Sequence, residues 1–189
     1  MGRNKTRLKI GGKLRKDENK NSIRKWNDSK KYSMINVGIA PCSPFSVSEN
    51  LMIESALLAR EYGVGLHTHL AENDSDINYS LRKFGVRPGE YIKKLGWVGS
   101  DVWHAHCVKL NDNEVDLFAK TNSNICHCPT SNMRLGSGVI PLNKLLNKSV
   151  NVSLGVDGSA SNDSGNLLNE AKQSLMLQRV INGAEIINA

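Results

Sequence analysis

Four of the five histidines in this chain fall in two pairs, His67 with His69 in "VGLHTHLAEN" and His104 with His106 in "DVWHAHCVKL". Glu72 follows the first pair closely, and Asp157 closes a separate apolar run, "VNVSLGVD". Neutral imidazole and carboxylate are ligands that suit zinc or iron. A metal so held brings the pKa of its bound water towards neutrality, and a carboxylate beside it can move protons. The residue types therefore point to metal-assisted hydrolysis. On spacing alone a plainer reading stays open, in which the imidazoles are structural hydrogen-bonding residues.

Such residues act only if the fold gathers them. From position 34 onward, short apolar runs alternate with segments of helical periodicity. "INVGIAP", "VGLHTHL", "DVWHAHCV", "NICHC" and "VNVSLGVD" read as strands. "SENLMIESALLAREYG", "DSDINYSLRKFG", "PGEYIKKLG", "NDNEVDLFAKTN", "IPLNKLLNK" and "NLLNEAKQSLMLQRV" read as helices. Ser48 is placed to cap the first of these and Gly63 to close it, while Asn111 and Glu114 form a capping-box variant. Strand–helix alternation of this kind predicts a parallel α/β sheet. Residues two apart on a strand share a face, so each histidine pair is expected to point into one space. In such folds functional residues collect at the C-terminal strand ends, where His69, His106, Cys128 and Asp157 all fall.

Composition narrows the class further. With 39% hydrophobic and 23% charged residues, the chain suits a globular domain. No apolar run approaches the roughly 20 residues that cross a bilayer. The N-terminus carries no apolar stretch of the signal-peptide kind. Cys42, Cys107, Cys126 and Cys128 show no disulfide-framework spacing, so a reduced, cytoplasmic protein is expected. The net charge of +7 is unevenly spread: residues 1–33 hold 12 Lys/Arg against 3 Asp/Glu, leaving the rest slightly acidic. That stretch is expected to be a solvated, disordered extension, and its sparse aromatics (Trp26, Tyr32) argue against a nucleic-acid-binding arm. "CHC" at 126–128 is expected to be a strand with small core or pocket cysteines. "GSG" at 136–138 lacks the length and lysine of a phosphate loop. The H-x-E and P-C-x-x-C signature of base-flipping zinc deaminases is absent.

Taken together, "HTHLAE", "HAHCVKL", "CHCPTSNMRLGSG" and "LGVDGSASND" resemble the second half of an amidohydrolase-superfamily deaminase. Within it the branch of 8-oxoguanine deaminases and hydroxyatrazine-type aminohydrolases is the most similar, with "APCSPFSVS", "RPGEYIKKLGWVGSDVW" and "NEAKQSLMLQRV" adding to the likeness. The resemblance covers residues 34–189 and implies a (β/α)₈ barrel with one divalent metal, zinc or alternatively iron, at its C-terminal mouth. It implies that His69 and Asp157 bind the metal, that Glu72 shuttles protons, and that His106 polarises the reacting centre. Asp157 would also take a proton from the attacking water. Ser131, Asn132 and Cys42 would shape the substrate pocket, and Cys42 stands where many related deaminases carry a histidine. His67 and His104 become supporting residues. The implied substrate is a small aminated purine-like or triazine-like ring, with guanine- or adenosine-type deamination as the alternative within the superfamily.

One departure from the family pattern matters. The His-x-His of the family's first strand has no counterpart, since no histidine precedes Met34. A full barrel takes about 250 residues, so the chain is expected to hold roughly the last five of eight βα units. With so few ligands the metal is expected to be weakly held. Three readings follow: a fragment with little activity of its own, an enzyme completed by another chain (a homo-oligomer included), or a non-enzymatic binding protein.

Overall fold

The computed structural model describes residues 16–185, and the expectation of disorder for residues 1–15 lies outside them. Five strands form one parallel sheet, β1 (Gly38–Ile39), β2 (Gly65–Leu70), β3 (Val102–His106), β4 (Asn124–His127) and β5 (Val152–Leu154). They lie side by side in sequence order, so β1 and β5 are the two edges. The helices are α1 (Lys16–Trp26), α2 (Glu49–Tyr62), α3 (Asp74–Phe84), α4 (Pro88–Lys94), α5 (Asp112–Thr121), α6 (Pro129–Arg134), α7 (Leu142–Asn147) and α8 (Leu167–Asn182).

Local chemistry sets the helix limits. The Ser48 side chain accepts from the Leu51 amide to start α2, and Gly63, at φ 64°, ends it in the left-handed conformation that glycine adopts freely. Asn111 and Glu114 cap the start of α5 reciprocally, and Asn73 with Asp76 does the same for α3.

Strand periodicity then divides the sheet into two faces. In β2 the buried residues Leu66, Thr68 and Leu70 alternate with the partly exposed Gly65, His67 and His69. The buried set packs under the helices in a core that includes Met52, Ala56, Ile92, Trp97, Phe118 and Ile125. The opposite face is lined, strand by strand, by His67 and His69, then Trp103 and Ala105, then Asn124 and Cys126, as the register dictates. Trp103 lies across β1 and β2. A Cβ on Gly65 would stand 2.5 Å from its ring, and one on Gly38 3.1 Å away.

One expectation needs correction. Residues 16–33 are not an irregular extension, because Lys16–Trp26 is helical and Ile23 within it is only 4% exposed. Asp17 and Glu18 open this helix and Arg24 and Lys25 close it, charges that match the helix dipole. Ile23 is the single apolar anchor, and Lys20 and Arg24 then reach Glu61 (3.3 Å) and Tyr62 (3.0 Å) on α2. Long basic side chains thus hold the helix with little apolar area. The segment "CPTSNMRL" contains the short helix α6, with Pro129 in its first turn.

Candidate active site

His69, Glu72, His106 and Asp157 meet at one end of the sheet. They are delivered by the C-termini of β2, β3 and β5 or by the residues just beyond them. The backbone there is unusual. Ala71, His106, Cys107 and Asp157 all have positive φ, at 48°, 71°, 54° and 62°, although none is glycine. Conformations of that kind persist only where their surroundings fix them, and they gather at functional sites.

The turn at His106 changes what the second histidine pair does. His104 faces the helical layer, fully buried, with its ring 5.2 Å from Phe118 and Nε2 3.1 Å from the Trp97 carbonyl. Burial lowers its pKa to about 3, so it is a neutral core residue. His106, two residues on, swings to the strand end because left-handed φ interrupts the alternation. The expectation that this pair shares one space therefore fails. For the first pair it holds, with the His67 and His69 ring centroids 5.9 Å apart on the same face. His67 stacks on Trp103 at 5.1 Å and its Nδ1 lies 3.1 Å from the Trp103 carbonyl. Burial lowers the His67 pKa as well, opposed by that backbone hydrogen bond.

Each site residue has its own support. His69 Nδ1 donates to the Cys42 carbonyl at 2.5 Å, which leaves Nε2 free to act as a ligand or acceptor. The same carbonyl accepts from the His69 amide (3.0 Å) and the Thr68 hydroxyl (3.2 Å). Cys42 is thus tied to the site through its backbone, while its side chain is exposed. The His69 and His106 rings stack with centroids 5.3 Å apart. Asn132 Nδ2 donates to His106 Nδ1 at 2.9 Å, so the proton of the neutral ring sits on Nε2. That nitrogen lies 3.9 Å from both Glu72 Oε2 and Asp157 Oδ2. Burial holds the His106 pKa below the usual histidine value, and the Glu72 charge only partly offsets this.

Asp157 is the most thoroughly held. Burial pushes its carboxyl up, but hydrogen bonds from Ser131 Oγ (2.6 Å) and the Gly158 amide (2.7 Å), with both imidazoles nearby, bring it below the usual range. It is therefore ionised at neutral pH. Glu72 accepts from Ser137 Oγ at 3.2 Å and donates its amide to Asp76 at 2.8 Å.

The expected pocket residues Ser131 and Asn132 lie directly against this group. Ser131 and Asn132 are buried, and their polar atoms are spent on Asp157 and His106. Sequence reasoning did not single out Ser137, Ser161 or Glu170. Ser161 lies 2.8 Å from Ser131, and Glu170, fully buried on α8, accepts from the Thr130 amide (3.0 Å) and Asn162 Nδ2 (2.9 Å). Asn162 in turn holds the Val156 carbonyl at 2.8 Å, next to Asp157. The only sequence signal for this clamp is the polar run "SASND" before α8, which equally suits a capping turn.

As a metal site the arrangement is partial. Among the described residues no three His, Cys, Asp or Glu side chains close into a metal-holding group. His69 Nε2 and the Asp157 carboxylate fit a metal as far as two ligands go.

Comparison with known proteins places this geometry. The model of the Amidohydrolase family matches residues 8–188. An 8-oxoguanine deaminase of Pseudomonas aeruginosa is 45% identical over 153 residues, which are 81% of this chain and 34% of that protein. A 5'-deoxyadenosine deaminase of Methanopyrus kandleri is 40% identical over 147 residues, 78% of this chain and 34% of its own length. Among solved structures, atrazine chlorohydrolase from Arthrobacter aurescens TC1 complexed with zinc superposes with a TM-score of 0.85 at 29% identity, covering 90% of this chain and 37% of that one. The chain thus spans about a third of the length of these relatives. Its five strands correspond to part of their barrel, and among the described residues no helix is long and apolar enough to cross a membrane.

Proposed function

The chain belongs to the amidohydrolase family, and on that premise we propose that its strand ends serve hydrolytic deamination of a small aminated heterocycle, purine-like or triazine-like. The observation that carries this reading is the position of His106 Nε2, 3.9 Å from a carboxylate on either side. Asp157, kept ionised, accepts the proton of the attacking water. Glu72 protonates the ring nitrogen beside the carbon under attack. His106 directs its Nε2–H at the oxygen of the tetrahedral carbon, where negative charge develops. Ammonia departs and the ring carbon keeps the oxygen, so one water is consumed for each ammonia released. A zinc or ferrous ion would have His69 and Asp157 as protein ligands here and would supply hydroxide near neutral pH. Two ligands hold such an ion weakly, because catalytic zinc sites use about three.

The 8-oxoguanine branch is supported by the 45% identity to that deaminase. It is tested by grafting residues 34–189 into the Pseudomonas aeruginosa relative in place of its matching segment. Ammonia release from 8-oxoguanine is expected, and it should vanish in Glu72→Gln. A folded graft that releases no ammonia from 8-oxoguanine, guanine, 5'-deoxyadenosine or an aminotriazine would overturn the proposal.

A further inference from the structure

A second cluster of donors lies on the sheet face that carries His69, two strands further along. Cys126 in β4 and Cys128 just after it both turn towards Gly155, which follows β5. A Cβ built on Gly155 would stand 2.6 Å from Cys126 Sγ and 3.1 Å from Cys128 Sγ, so both sulfurs lie within about 3 Å of one point. Gly155 is not among the glycines with positive φ. Its backbone accepts any residue, and what demands glycine there is the room taken by the two sulfurs. Cys128 is buried and Cys126 is partly exposed, so the pair can be reached from the Cys126 side.

We propose that Cys126 and Cys128 form a two-sulfur site for a soft, thiophilic cation of the monovalent copper class. Thiolates select soft cations over hard ones. Zinc needs about four donors in a structural site, and among the described residues no third His, Cys, Asp or Glu closes on the pair. Two sulfurs complete the shell of a two-coordinate cation. The hydrogen bond from Cys128 brings Cys126 down to about 7, with Ser153 helping against the effect of burial, while Cys128 is pushed up. Cys126 is thus the readier of the two to ionise. Binding forms two metal–sulfur bonds and sends to solvent the proton of each sulfur still protonated, and no electron is transferred. The site does not depend on the deaminase reading.

The probe is copper(I) itself, kept reduced with ascorbate under anaerobic conditions and competed against bicinchoninate. The 189-residue chain and its Cys42→Ser variant should each withhold one equivalent. Cys126→Ser and Cys128→Ser should weaken retention at least tenfold. Gly155→Ala, which keeps both thiols but fills the space between them, should do the same. His69→Asn should leave it within twofold, which separates this site from the catalytic group. X-ray absorption should find two sulfurs and no imidazole nitrogen around the copper. Retention unchanged in both Cys126→Ser and Gly155→Ala, or a nitrogen-containing copper shell, would overturn the proposal.

Discussion

Ser131 Oγ donates to Asp157 Oδ2 across 2.6 Å, joining the first turn of α6 to the loop after β5. The bond fixes which carboxylate oxygen is engaged and keeps Asp157 ionised although burial opposes it. Removing a partner of this kind from a ligating carboxylate costs about 10- to 100-fold in metal affinity or activity. Ser131→Ala in the grafted enzyme is therefore expected to lower kcat/KM by that order. Zinc affinity, measured by competition with a chromophoric chelator, should fall in parallel. A Ser131→Thr variant, which keeps the hydroxyl, should recover most of the loss.

Glu170 predicts an effect on stability. It is fully buried and joins the Thr130 amide to Asn162, and through Asn162 to the Val156 carbonyl. Glu170→Ala leaves those buried donors without a partner, at about 1–3 kcal/mol for each group left unpaired. The urea midpoint should drop accordingly with little change in m-value. A variant with an unchanged midpoint would mean that the clamp contributes nothing.

Acid should destabilise the fold through two neutral histidines. Burial lowers the pKa of His104 to about 3 and of His127 to about 4, from an ordinary value of 6.5. Among the described residues, neither ring nitrogen of His127, nor Nδ1 of His104, has a hydrogen-bond partner. Between those folded values and 6.5 the unfolded chain binds more protons, so stability rises with pH across that window. It is present in full above 6.5 and falls as pH drops below it. At pH 5 the loss is on the order of 2 kcal/mol per histidine. Urea midpoints measured from pH 7 to pH 5 should decline, and in His104→Gln the decline should be shallower. An equal slope in the variant would refute this assignment.

Gly65 is held to glycine by Trp103. A Cβ at this position would lie 2.5 Å from the indole ring, and overpacking of that kind costs about 1–3 kcal/mol. Gly65→Ala should lower the melting temperature, and Trp103→Phe should relieve part of the penalty. The coupling in a double-mutant cycle is the measurement, and additivity would remove the contact from the argument.

Much of this could be read from the sequence, and the exceptions share a cause. The alternation of elements, the Ser48 and Asn111 caps and the three strand ends follow from period and composition. The division of labour between His104 and His106 does not. It depends on left-handed φ at His106 and Cys107, and neither residue type announces such a backbone. The burial of Ser131 and Asn132 was hidden for a similar reason, because polar residues in a "PTSN" turn look like solvent-facing or substrate-facing groups. The helix at Lys16–Trp26 rests on one buried isoleucine, which is too little for periodicity to detect.

The order of the strands has a kinetic consequence. Each strand pairs only with its neighbours in sequence, and the longest register joins β2 to β3. No pairing has to wait for a distant segment, so loop-closure entropy is met in small, similar steps. Such a sheet can assemble from its N-terminal side while the chain is still being synthesised, each new βα unit docking on the last. Pulse-labelled hydrogen exchange should then find the β2–β3 amides protected first, with protection spreading outward to β5.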